Sequence, residues 1–189
     1  MAENQNNRRA AYSKKKADAH KEARRAAREA VLALLFETEY HKGEDPEAIF
    51  LRAAEVRDID PADEYIRGEY MGIMENLETI DALLGRHAKG WRTDRLSRVS
   101  RAVLRLGAYE IIYAEKIPAP IAINEAVELA KKFDDPKARA FINGVLNAVK
   151  NELEENEGVP PIIETAPEVL PTEEPVAEAE ATDTPATDE

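Results

Sequence analysis

Cysteine is absent from this chain of 189 residues, and its 8 glycines are scattered singly. Without cysteine there is no disulfide framework, no thiolate zinc site and no cysteine nucleophile, which suits a reducing cytoplasm. Scattered glycines cannot form a loop that cradles the phosphates of a nucleotide. The chain also lacks an N-terminal signal segment and any apolar run near the roughly 20 residues that span a bilayer. We therefore expect a cytoplasmic protein with no membrane contact and no cofactor.

Candidate metal ligands are also sparse. Glu37 and His41 stand four residues apart and could share a metal ion, but no third ligand follows at a suitable spacing. His41 and His87 fall at the predicted ends of helices, where the helix dipole favours a partly charged imidazole. We therefore predict no metal site and no catalytic residue, and we do not expect an enzyme.

Charge is distributed unevenly along the chain. The formal net charge is -12, yet residues 1–30 contain nine Lys or Arg against four Asp or Glu. Residues 152–189 contain thirteen acidic residues and no Lys or Arg. The net negative charge therefore comes mainly from the C-terminal end of the chain. It does not exclude nucleic-acid binding at the other end, because local charge decides what a surface attracts.

Both ends of the chain are polar segments with little apolar surface to bury. Residues 1–19 are predicted to form a flexible basic arm, because burial there cannot offset the entropy of ordering the segment. Residues 154–189 contain six prolines and no aromatic residue, which predicts a disordered acidic tail. The tail is either a solubilising segment or an acidic competitor that covers the basic end, and the sequence leaves both interpretations open.

The middle of the chain has the apolar spacing of helices. Residues 20–41 repeat apolar side chains on one helical face, which predicts a first helix. Asp45-Pro46 and Asp60-Pro61 each place a capping acid before a proline at the first helical position, which predicts two more helix starts. The second of these helices is predicted to cover residues 61–86.

A second half follows a break near Trp91, which is either a buried plug between the halves or an exposed stacking platform. Ser97 is a suitable cap for the next helix, and two more helices are predicted before residue 153. No segment alternates as a half-buried strand would. The sequence therefore predicts an all-α fold, a compact bundle of six or seven helices in two small subdomains, residues 20–90 and 91–153.

The first helix carries a basic stripe. At 100° per residue, four cations and one aromatic ring fall within a sector of about 120° beside the apolar face. Cations hold RNA phosphates and a ring offers a surface for unstacked bases, so the stripe is a candidate RNA site. The alternative is an ordinary solvated face, in which Glu22 and Glu29 pair with the arginines. The stripe consists of Lys21, Arg24, Arg25, Arg28 and Phe36.

Three segments of the second half resemble a known family in their order and spacing. They are LRLGAYEI from Leu104, AINEAVELAK from Ala122 and FINGVLN from Phe141. Together with the first helix, RRAAREAVLALLFETE, they resemble the NusB family of bacterial transcription antitermination factors over about residues 21–153. Gly144 in the third segment lies in mid-helix, where glycine costs about 1 kcal/mol against alanine, so we expect another backbone to pass close by.

The resemblance implies both a function and a site. NusB-like proteins bind the boxA element of nascent RNA together with NusE, a ribosomal small-subunit protein. The pair helps RNA polymerase to read through terminators, notably in ribosomal RNA operons. Ala26 stands where some relatives have a third consecutive arginine. The family's arginines, its aromatic residue on the first helix and its FxNG phenylalanine near the RNA fall on Arg24, Arg25, Arg28, Phe36 and Phe141.

Further partners and residues are less closely defined. Lys137 and Arg139 would add positive charge beside Phe141, an inference from spacing rather than from the family. NusE is expected to dock on the C-terminal half, and a homodimer is compatible with the sequence. Two alternatives stay open. One is an RNA-positioning domain that acts in trans with an RNA methyltransferase, to which NusB-like domains are also fused; the other is a homo-oligomeric helical scaffold.

Overall fold

Seven α-helices make up the described part of the chain, and no β-strand occurs in it. The computed structural model describes residues 2–88 and 96–156, with side chains from residue 12 onward. The predicted all-α class and the number of helices are confirmed. The helices are α1 (Ala2–Thr38), α2 (Pro46–Arg57), α3 (Glu64–Glu75), α4 (Leu77–His87), α5 (Arg98–Tyr113), α6 (Ala119–Phe133) and α7 (Ala138–Glu155).

Side-chain caps explain where two of the helices begin. Asp45 accepts a hydrogen bond from the backbone N–H of Glu47 at 3.1 Å, and Pro46 follows it at the start of α2. Ser97 accepts one from the backbone N–H of Ser100 at 2.9 Å, at the start of α5. Both caps are the ones that the sequence predicts.

The single helix predicted over residues 61–86 is wrong, because the segment forms two helices. Asp60-Pro61 make a turn, and α3 begins only after Asp63, which accepts two backbone hydrogen bonds at 3.0 and 2.9 Å. Asn76 then separates α3 from α4, and its side-chain Nδ2 donates to the carbonyl oxygen of Gly72 at 2.8 Å. This local hydrogen bond competes with the continuation of α3.

Residues 2–19, which belong to the predicted flexible basic arm, continue α1 as a helix. The segment is rich in Ala, Lys and Arg, which are strong helix formers, and an existing helix extends at the gain of one hydrogen bond per residue. All side chains from Tyr12 to Arg24 are exposed, so this part of α1 projects from the core. The mobility of the segment stays a prediction.

One apolar core joins helices from both predicted subdomains. Positions predicted from the helical spacing, such as Leu34 in α1 and Leu106 in α5, are fully buried there. A charged contact adds to the junction, because Arg105 of α5 donates to both carboxylate oxygens of Asp81 in α4 at 2.8 Å. The two halves are therefore held together by apolar packing and by a buried ion pair.

Gly144 does not mark a close backbone approach, contrary to the prediction. A Cβ placed on Gly144 would have no neighbouring atom within 4 Å. A close approach occurs instead at Gly107 in α5, where a Cβ would lie 2.7 Å from Leu146 Cδ1 and 3.3 Å from Ala126 Cβ. Gly107 therefore allows α5 to pack closely against α6 and α7.

Several predictions lie outside the described residues. Trp91 and the boundary near residue 90 fall between residues 88 and 96, and most of the predicted acidic tail follows residue 156. Its first two residues, 154 and 155, belong to α7. No helix among the described residues is both long and apolar enough to cross a membrane.

Candidate nucleic-acid interface

Two cations of the basic stripe are presented to solvent. Lys21 and Arg24 lie in the exposed part of α1. The guanidinium of Arg24 stands 4.7 Å from the ring centroid of Tyr65 in α3, a cation–π distance that leaves its N–H groups available. These two side chains are placed as a phosphate-binding role requires.

Arg25 is half-buried and forms an ion pair with α6. Its Nε donates to Glu125 Oε2 at 3.0 Å, and its Nη2 approaches Glu125 Oε1 at 3.4 Å. The hydrogen bond to Glu125 raises the pKa of Arg25. The sequence predicts pairing between the arginines and carboxylates of α1 itself as the alternative to RNA binding, but the carboxylate that pairs with Arg25 comes from a helix 100 residues away.

Arg28 is buried, which differs from the exposed position expected for a phosphate contact. Its side chain is 7% exposed, and its Nε donates to Glu110 Oε1 in α5 at 2.9 Å. On a helical wheel Arg28 lies between Leu32 and Leu35, both of which are buried, so this part of the stripe faces the core. The structure gives Arg28 a structural role, because it neutralises a buried carboxylate.

Phe36 lies in a small groove near the C-terminal end of α1. Its ring is half-buried and meets Tyr40 edge-on, with 5.4 Å between centroids. The groove has a volume of about 290 Å³. Leu32, Val99 and Phe133 also line it. Phe133, which the sequence analysis missed, is 43% exposed and offers a second ring beside Phe36.

Charged side chains bridge α1 and α6 over the space between Arg25 and Phe36. The Nζ of Lys132 donates to both carboxylate oxygens of Glu29, at 2.6 and 2.7 Å. Lys131 lies beside it and is exposed. We call the surface from Arg25 and Glu125 to Phe36 and Phe133 the α1–α6 groove. The sequence analysis did not name these two lysines as site residues, although Lys131 ends the segment AINEAVELAK and Lys132 follows it directly.

The remaining predicted residues lie at the start of α7. Lys137 is exposed, and Arg139 is half-buried with its Nε 3.4 Å from the carbonyl oxygen of Pro136. Phe141 is half-buried and packs against the apolar core. Lys137 lies four residues after Phe133 in the chain, close to the end of α6. No group of three or more His, Asp or Glu side chains among the described residues is arranged to hold a metal ion.

The fold and this surface define a class: an all-α protein with a projecting basic helix and a bridged groove beside it. The NusB family model matches residues 22–151, and the chain therefore belongs to the NusB family. The match begins within α1, so the part of this helix before residue 22 lies outside it.

Individual relatives and solved structures agree with the family. Transcription antitermination protein NusB of Bacillus licheniformis is 42% identical over 131 residues, 69% of this chain and 98% of that protein. The Bacillus subtilis protein of the same name is 39% identical over 133 residues, covering 70% and 98%. A structure of T. maritima NusB has a TM-score of 0.62 at 38% identity, covering 71% of this chain and 95% of that one. A structure of antitermination factors NusB and NusE with double-stranded RNA has a TM-score of 0.60 at 30% identity, covering 68% and 96%.

Proposed function

We propose that this chain is a cytoplasmic transcription antitermination factor that binds boxA-type nascent RNA together with NusE. In this role it promotes processive transcription by RNA polymerase, notably of ribosomal RNA operons. The observation that carries the proposal is the family match, which spans the helices that build the α1–α6 groove. The complex of NusB and NusE with double-stranded RNA is a structural relative that supports both partners.

The proposed RNA surface follows the α1–α6 groove. Lys21 and Arg24 lie along α1 before the groove, and the rings of Phe36 and Phe133 lie at its other end. Phosphates need the cations, and unstacked bases need the rings. Arg28 is left out because it is buried against Glu110. Phe141 stays a candidate base contact on the strength of the resemblance. The surface comprises Lys21, Arg24, Arg25, Phe36, Lys131, Lys132, Phe133, Lys137 and Arg139.

The ion pairs that bridge the groove are compatible with RNA binding. Arg25 and Lys132 are partly exposed, with side-chain exposures of 34% and 57%. Lys132 pairs with Glu29, which is also partly exposed, and such a pair contributes about 1 kcal/mol or less, so a phosphate can replace this carboxylate at modest cost. The Glu125 side chain is only 8% exposed, so Arg25 keeps this ion pair and adds positive charge beside the RNA. Because RNA competes with salt ions as well as with Glu29, the affinity should fall steeply with salt concentration.

Replacement of the two exposed cations tests the site. Fluorescence anisotropy with a labelled boxA RNA measures the affinity, with and without purified NusE. The double variant Lys21→Ala/Arg24→Ala should bind at least about tenfold more weakly. The slope of log affinity against log salt concentration should fall by about 1.4 in magnitude, because two phosphate contacts to a single strand are lost.

A matched control separates the site from general electrostatics. The double variant Lys42→Ala/Arg52→Ala removes the same charge from exposed positions outside the α1–α6 groove, and it should retain most of the affinity. Equal losses in the two double variants would contradict the site. Equal affinity for boxA and a scrambled RNA, with and without NusE, would contradict the proposed function itself.

A further inference from the structure

A cleft larger than the α1–α6 groove lies where α1, α3, α5 and the start of α6 meet. Its volume is about 880 Å³. Two aromatic rings and an apolar turn form much of its wall: Tyr65, Tyr113, Ile117, Pro118 and Ile121. Cations and carboxylates both occur around the cleft, so the side chains at its edge do not show whether it would bind an anion or a cation. The buried side chains of its wall are more informative.

Glu69 of α3 lines this cleft and is 7% exposed. Its Oε2 is buried, and no group among the described residues forms a hydrogen bond with it. A buried carboxylate oxygen without a donor is unfavourable, and such a group in a native protein requires an explanation. Glu69 is therefore an unused acceptor at the cleft wall.

The neighbouring carboxylate takes the available donors. Arg28 Nε and the Tyr65 hydroxyl both donate to Glu110 Oε1, at 2.9 and 2.6 Å. Arg24 is turned towards the Tyr65 ring instead. Two carboxyl groups thus share one buried guanidinium, and an ionised Glu69 would leave the cluster one cation short.

The raised pKa of Glu69 agrees with this shortage of cations. Burial and then the charge of Glu110 raise its pKa to about 8, although Arg28 and Arg24 act in the opposite direction. Tyr109 of α5 and Tyr65 are the other titratable groups that interact with Glu69, and the pKa of each is raised. The carboxyl is therefore mostly protonated at neutral pH and would ionise if a cation arrived.

We propose that this cleft is a binding site for an alkylammonium or guanidinium group, which forms an ion pair with Glu69. The N–H donors of such a group supply the missing hydrogen bond, and its charge completes the buried cluster. The tyrosine rings favour a cation, and the apolar turn accommodates an alkyl chain. A lysine or arginine side chain of a protein and a free polyamine share this chemistry. Lys21 and Arg24 of the proposed RNA surface also line this cleft, whereas Glu69 is not part of that surface.

The test uses the full-length chain and n-butylamine as the probe. NMR shifts of backbone amides should move around the cleft as the amine is added, whereas n-butanol, of similar size but uncharged, should have no such effect. Below pH 8 the affinity should rise about tenfold per pH unit, because binding requires Glu69 to lose a proton while the amine keeps its charge. The rise should level off above that pH.

Two variants identify the group that binds. Glu69→Gln should lose at least about tenfold in affinity together with the pH dependence, because the ion pair is gone. Glu64→Gln removes the same charge from an exposed residue of the same cleft and should retain both. No amine-dependent shifts in the wild type, or unchanged binding by Glu69→Gln, would overturn the proposal. The pH profile of the wild type tests it without any variant.

The two sources of the group are distinguished by further probes. Tighter binding of spermidine than of n-butylamine points to a free polyamine. Tighter binding of a blocked lysine tripeptide points to a protein side chain. Either result supports the site. Lys21 and Arg24 also line the cleft, so the amine measurements compare the wild type with Glu69→Gln and do not use the Lys21→Ala/Arg24→Ala variant.

Discussion

Arg24 and Arg28 stand one helical turn apart and differ completely in environment. Arg24 is exposed and lies over the Tyr65 ring, whereas Arg28 is buried in an ion pair with Glu110. The sequence could predict on which side of α1 the two arginines lie, but it could not predict how deeply each one is buried. Burial depends on where along the helix axis the packing against other helices begins. The partners that decide their roles, Glu110 and Glu125, are 82 and 100 residues distant from their arginines and cannot be inferred from local spacing.

Glu69 should make the stability of the protein depend on pH. Its pKa rises from 4.5 to about 8 on folding, so its contribution is complete below 4.5 and is lost as the pH rises through 8. Glu69→Gln imitates the protonated side chain at every pH. Relative to this variant, the free energy of unfolding of the wild type should fall by up to about 1.4 kcal/mol per pH unit across that window.

Urea denaturation of both proteins at several pH values measures this difference. Groups that titrate in both proteins cancel in the comparison. The difference should be close to zero below pH 4.5 and constant above about pH 8. A difference that stays constant from acid to alkaline pH would show that folding does not raise the pKa of Glu69.

At the scale of the helices, two glycines in α5 and α7 provide a test of the packing. Gly107→Ala should destabilise the protein by about 1–2 kcal/mol, because its Cβ would overlap Leu146 and crowd Ala126. Gly144→Ala should stabilise it by roughly 0.5–1 kcal/mol, because the new methyl group meets nothing and the unfolded chain loses freedom. Urea denaturation measures both, and a stabilised Gly107→Ala variant would contradict the packing described here.

The break between α3 and α4 shows why element boundaries are harder to predict than helices. Apolar residues on both sides of Asn76 keep one helical spacing, and Ile73 and Ile80 are both fully buried. The spacing therefore indicates helix correctly, but it carries no information about a single residue whose side chain bonds to the preceding turn. The start of α5 was predictable because its cap, Ser97, is itself a sequence signal.

For the whole molecule, class and family could be predicted because both depend on local patterns. Helical periodicity identified the fold class, and three short segments identified the NusB family. The proposed RNA surface could be predicted only in part. Lys21, Arg24 and Lys137 are exposed as expected, whereas the role of Lys131, Lys132 and Phe133 depends on how α6 lies beside α1, which no local pattern specifies.

Deletion of residues 1–19 tests whether this basic segment contributes to stability or to RNA binding. The free energy of unfolding should change by less than about 0.5 kcal/mol, because the described side chains in this segment are all exposed. RNA affinity should fall, and its salt dependence should become less steep by about 0.7 for each lost phosphate contact. Anisotropy and urea denaturation measure the two effects. An unchanged salt slope would show that the segment does not contact RNA.

The length of α1 also has a consequence for encounter. At 1.5 Å per residue, the stretch before Arg25 extends about 35 Å, which is comparable to the diameter of a small domain. A diffusing polyanion can contact this part of α1 before it reaches the packed core. The projecting helix thus enlarges the surface available for a first encounter, and it does so without a larger core.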